Sequence, residues 1–131
     1  MAGAGMAGAG MAGAGMEHRN EVVLVGRVAA PALERELPSG DVIATWRLVV
    51  DRPPARRAVQ EGQRPPTVDT LDCVGWTAAV KRGAHRLGAG DVVAVEGALR
   101  RRFWRAGAGA GAASRYEVEV ASVKRLAKAA L

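Results

Sequence analysis

Apart from one short helical stretch, the apolar residues of this chain fall in strand-length blocks rich in valine, separated by Gly, Pro and charged residues. That pattern points to an all-β core. Glu21 to Val28 is an almost continuous apolar run, and Gly26 within it marks a bulge or a barrel bend. Pro31 interrupts the run, and Leu33 to Leu37 resumes it with Arg35 on the side opposite Glu34 and Glu36. After a turn at residues 38–41 comes a strand from Val42 to Val50. It sets Ala44, Trp46, Leu48 and Val50 on one face, and Ile43, Thr45, Arg47 and Val49 on the other. Trp46 is in phase with the apolar set, so it belongs to the core, where its indole N–H needs a partner.

Thr67 to Trp76 forms the third strand. Leu71, Cys73 and Gly75 point one way, and Thr70, Asp72, Val74 and Trp76 the other. Thr77 can cap a helix running to Leu87, on which Val80, Ala84 and Leu87 make one apolar stripe. Gly83 weakens this helix, and Gly88 and Gly90 end it. His85 lies off the stripe, where a surface position fits. The last strand, Tyr116 to Val123, alternates cleanly and sets Tyr116 in phase with Val118 and Val120, at a core or interface position.

The longest strand candidate is Asp91 to Arg105, DVVAVEGALRRRFWR. Val93, Val95, Gly97, Leu99 and Phe103 share one face, mostly core, interrupted by Arg101. Arg100, Arg102 and Trp104 share the other. A cationic row ending in a flat ring suits a flexible polyanion with exposed bases. Arginines on an exposed strand also serve simply as solvated charges that blunt an edge. The segment from Asp51 to Pro66 carries four prolines and four arginines, among them Arg52, Arg56 and Arg57. It reads as a long loop, either a solvated linker or a mobile clamp for phosphates.

The 131 residues suffice for one domain, and a net charge of +6 favours a polyanionic partner. Cys73 is the only cysteine, which rules out a disulfide framework within one chain and fits a reducing cytoplasm. Three copies of MAGAG occupy residues 1–15 and cannot bury enough surface to fold. The division expected is a disordered Met/Ala/Gly-rich extension over 1–19, a folded domain over 20–126 and a short tail over 127–131. No apolar run approaches a membrane span, and the start lacks the pattern of a signal peptide. Neither a nucleophile with a histidine and carboxylate at recognisable spacing nor a phosphate-binding loop is present. Asp69 and Asp72 alone make no metal site. The expectation is therefore no enzyme, no cofactor and no metal.

The order strand, strand, strand, helix, strand, strand is that of the five-stranded OB-fold barrel, with the helix between strands three and four. Within it, NEVVLVGRV, LPSG, DCVGW, LGAGDVVAVEGALRRRFW and RYEVEV, in that order, resemble the bacterial single-stranded DNA-binding protein family over Asn20 to about Leu126. The resemblance implies sequence-independent binding of single-stranded DNA in replication, recombination or repair. It implies a homotetramer and a cytoplasmic, nucleoid-associated location. It assigns base stacking to Trp76 and Trp104, and DNA contacts to Arg35, Arg100 and Arg102, while the 51–66 loop with Arg52, Arg56 and Arg57 helps wrap the strand. Arg47 joins this set from the outer face of the second strand.

Three departures stand out against the family pattern. Thr70 stands where many relatives have an aromatic, and Pro31-Ala32 replaces an Asp-Pro. The acidic C-terminal tip that recruits replication proteins is not seen before Leu131, which suggests a paralogue. Two other readings remain open at this level: an OB-fold protein-interaction module with weak DNA binding, and a single-stranded RNA binder.

Overall fold

The computed structural model describes residues 16–54, 62, 64, 66–105, 107, 109 and 111–130. The MAGAG repeats, Arg56 and Arg57 lie outside the described residues. In chain order the elements are β1 (Val22–Val28), β2 (Leu33–Glu36), β3 (Val42–Asp51), β4 (Val68–Gly75), α1 (Ala78–His85), β5 (Val92–Arg105) and β6 (Ala112–Ala127).

One sheet runs in the order β1-β5-β6-β4-β3-β2, and β1 also pairs with β3. That extra pairing closes β1, β5, β6, β4 and β3 into a ring, the OB-fold barrel, and leaves β2 as a short flap on β3. All neighbours are antiparallel except β4 and β6, which run parallel from Cys73↔Val118 to Gly75↔Val120. Closure forces backbones together at two glycines. A Cβ on Gly26 would overlap the Val49 carbonyl oxygen across the β1–β3 seam. One on Gly97 would overlap the Glu119 carbonyl oxygen where the β5–β6 register skips Ala121. The glycine read as a bend is thus where the ring shuts.

The barrel interior is filled from alternating positions. Val28, Ala44, Trp46, Leu48, Cys73, Val93, Val95, Val118 and Val120 are buried there, with Val80, Ala84 and Leu87 from the helix and the turn after it. Burial pushes the Cys73 thiol up to about 12, with the neighbouring Asp72 charge adding to the shift. Thr77 caps α1 by accepting from Val80 N at 3.2 Å. Gly83, unfavourable by propensity, is where α1 packs against β6: a Cβ there would sit 3.1 Å from Val123 Cγ1.

The strand faces hold as expected, but the core side of β5 does not stay buried along its length. Leu99 and Phe103 are 45% and 63% exposed, and Tyr116 on β6 is 58% exposed, so none of the three is core. The reason is geometric. Beyond Leu99, β5 and β6 run on as a two-stranded ribbon that pairs with no third strand among the described residues, as far as Arg105↔Ala112. The indole N–H of Trp46, expected to find a partner, is buried with none among the described residues.

Asp91 is a buried carboxylate that staples the end of the chain. Its oxygens accept from Gly88 N and Ala129 N, each at 2.8 Å, and Arg125 lies 3.5 Å away. Arg125 donates also to the Arg86 carbonyl. The two backbone donors hold the Asp91 carboxyl below the usual carboxylate range, helped by Arg125. A depressed folded value means stability that is present above the unfolded carboxylate pKa, about 3.9, and lost as pH falls through the folded one. Urea midpoints should drop below about pH 4 in the parent. In Asp91→Asn they should start lower at neutral pH and lose less on acidification.

Candidate nucleic-acid interface

Directly opposed residues on paired strands share a face, so the register assembles the outer surface of the barrel. Arg35 pairs with Ile43, Arg47 with Asp72, Val74 with Glu119, Arg100 with Glu117 and Arg102 with Arg115. With Trp76 at the end of β4 and Trp104 on β5, these residues occupy one continuous face across β2, β3, β4, β6 and β5. Ile43 and Val74 are buried in its floor, on the side away from the core.

Two grooves run over this face and share Arg35 and Arg115. One is lined by Arg35, Arg47, Asp72, Val74, Arg115 and Glu117. The other lies between the 38–41 turn and the β5–β6 ribbon, lined by Arg35, Pro38, Arg102, Trp104 and Arg115. Trp76 is partly buried, and Trp104 is 46% exposed. Each indole carries a guanidinium over its ring: Arg102 at 5.6 Å from Trp76 and Arg115 at 6.0 Å from Trp104.

The face is also acidic. Arg47 pairs with Asp72 at 3.2 Å, and Arg100 with Glu119 at 3.2 Å. Glu117 is only 5% exposed and stands between Arg102 at 3.4 Å and Arg115 at 3.8 Å. Among the described residues, Arg35 alone of the face arginines makes no ion pair.

The sequence-derived candidates Arg35, Arg47, Trp76, Arg100, Arg102 and Trp104 thus come together. Arg52 does not join them. It follows β3 in the phase of Leu48 and Val50 and is tied to Asp69 at 2.7 Å, which pushes its guanidinium pKa further up. Arg115 was not among the candidates, although it alternates with Glu117 and Glu119 opposite the Val118 and Val120 phase. That alternation was the available signal. On the reverse side of the ribbon, Arg101 lies 4.8 Å from the Phe103 ring and 5.5 Å from the Tyr116 ring. It also donates to Ser114 Oγ. The described residues hold no cluster of His, Cys, Asp and Glu able to bind a metal ion. No helix among them is long and apolar enough to cross a membrane.

Comparison with known proteins gives one consistent result. The model of the single-strand binding protein family matches residues 19–126. Single-stranded DNA-binding protein 3 of Listeria innocua is 34% identical over 83 residues, covering 63% of this chain and 49% of that protein. Single-stranded DNA-binding protein A of Bacillus subtilis is 35% identical, covering 63% of this chain and 45% of that protein. The Thermotoga maritima protein is 32% identical, covering 65% of this chain and 58% of its own length. The chain spans about half the length of the curated relatives it matches. Among solved structures, the Plasmodium falciparum SSB in complex with ssDNA superposes with a TM-score of 0.63 at 20% identity. That match covers 86% of this chain and 99% of the other, and it shows the same fold.

Proposed function

This chain belongs to the single-strand binding protein family, and on that premise we propose that it binds single-stranded DNA without regard to sequence, through the face just described. The observation that carries the reading is the gathering of Trp76, Trp104, Arg35, Arg47, Arg100, Arg102 and Arg115 on one side of the barrel. Bases stack on the two indoles, which is sequence-tolerant because every base has a π face. Arginines take the phosphates and release counterions. Residues 20–126 form the binding domain, which acts by coating strands and carries out no reaction, in replication, recombination or repair in the cytoplasm.

The active form is a homo-oligomer, a homotetramer in keeping with the family resemblance. Val23 and Val25 on the outward side of β1 are 66% and 52% exposed, and Leu99, Phe103 and Tyr116 are exposed on the ribbon. So many large apolar side chains left uncovered on a small barrel support burial against further copies.

Tryptophan fluorescence titrated with poly-dT, beside a duplex of equal length, tests the reading. Quenching by the single strand at concentrations where the duplex has no effect is the expected result. Quenching by neither would favour the protein-interaction module.

A further inference from the structure

We propose that Glu117 is a specificity-determining residue of this interface, whose task is to deny duplex DNA a purely electrostatic foothold. The inference rests on the single-strand reading above and deepens it. Its basis is the placing of a buried carboxylate at the centre of a surface meant for a polyanion. Burying a charge is costly unless it is paired, so this position is not neutral decoration. Glu117 lies between Arg102 and Arg115, 3.4 and 3.8 Å away. Asp72 and Glu119 compensate Arg47 and Arg100 in the same way at the rim.

Four of the five arginines on the face thereby meet three carboxylates, which cuts the charge that these side chains offer a phosphate from +5 to +2. The two classes of DNA respond differently to such a surface. A duplex keeps its bases stacked inside and offers a protein of this kind only phosphates, so its affinity is nearly all counterion release. A single strand adds stacking on Trp76 and Trp104, which the carboxylates do not weaken. Compensating the arginines therefore costs the duplex almost everything and the single strand only a part. Discrimination arises here from a repulsive element built into the site.

Glu117 does this without loosening the platform. The two guanidinium groups it neutralises are those lying over the two indoles, at 5.6 and 6.0 Å from the ring centroids. It holds them against the rings while withholding their charge from phosphate.

The test is Glu117→Gln, which keeps the side-chain volume and removes the charge. Affinities for poly-dT and for duplex are measured over a series of salt concentrations, after melting curves have shown that the variant is folded. Duplex affinity at low salt should rise at least about tenfold, with the salt slope steeper by up to about 1.8 for two freed arginines. Single-strand affinity should stay within about threefold, since added phosphate contact is offset by less firmly backed rings. An unchanged ratio of the two affinities, or a selective loss of single-strand binding, would overturn the inference. The double variant Asp72→Asn/Glu119→Gln frees Arg47 and Arg100 at half-exposed positions where folding is not at stake, and decides the matter if Glu117→Gln melts early. It should move the same ratio in the same direction, by at least about threefold. A parent chain that binds neither DNA overturns the proposed function and this inference together. A parent that binds the single strand, with a ratio that no variant moves, overturns the inference alone.

Discussion

Trp46→Ala is expected to cost about 3–5 kcal/mol of folding stability, the usual range for emptying a buried aromatic site. The ring lies on the core side of β3, 5% exposed, among Leu48, Cys73, Val118 and the helix residue Val80. Gly75 makes room for the helix that covers it: a Cβ at that position would come 2.6 Å from Val80 Cγ1. Backbones clamped together by strand pairing on both sides of β3 leave little freedom to collapse into the hole. One effect works the other way. The buried Nε1 has no partner among the described residues, and an unsatisfied donor costs about 1–3 kcal/mol. Trp46→Phe, which keeps most of the ring and removes the orphan N–H, should therefore lose far less than Trp46→Ala. Urea denaturation of the two variants checks both statements. A Trp46→Ala chain as stable as the parent would mean that the ring does not belong to the core.

Trp76→Ala and Trp104→Ala should each weaken single-strand binding by about 1–3 kcal/mol, the range found for base–aromatic stacking. Neither should disturb the fold much. Trp104 is 46% exposed on a ribbon beyond the barrel, where surface substitutions usually stay within about 0.5 kcal/mol. Trp76 sits after the last residue of β4 and outside the core cluster. The two positions are not independent, because Arg102 over one ring and Arg115 over the other share Glu117. A double-mutant cycle should therefore give a loss that departs from the sum of the single losses. The measurement is fluorescence polarisation with labelled oligo-dT, run beside melting curves. Full affinity in both single variants would remove base stacking on this face from the account.

The parts that could be read in the sequence were those governed by period. Alternation in Val42 to Val50 separates Trp46 from Arg47, and the structure keeps them on opposite sides. Thr77 caps the helix, and Val80, Ala84 and Leu87 face inward. What alternation does not contain is the length of the barrel. Leu99 and Phe103 have the phase of core residues but lie where no opposing strand remains, so the same period yields a wet apolar face.

Nor does it contain the cross-strand neighbours. Arg100 and Arg102 read as free cations, yet their carboxylate partners come from β6 and depend on a register that slips by one residue at Ala121. Arg125 is a further case: a residue near the chain end, drawn in by Asp91 from the turn before β5. Such pairings are properties of the closed ring and cannot be found on any one strand. The roles of Arg56 and Arg57 fall outside the described residues.

The seam between β1 and its neighbours has a consequence for how the barrel comes into being. β1 is the first strand to be synthesised, yet its partners are β3 and β5, and β4 meets β6 only after α1 and β5 have been made. β3 reaches only Arg27 and Val28 of β1, so no early hairpin can shelter Val22 and Leu24. Nearly every closing contact joins distant parts of the chain, which puts folding in the slow range of two-state domains, about milliseconds to seconds. The nascent chain therefore carries an apolar strand with open edges until β5 has left the ribosome. The ring cannot close before β5 and β6 are both made, so a ribosome stalled before β5 leaves an aggregation-prone fragment rather than half a binding protein.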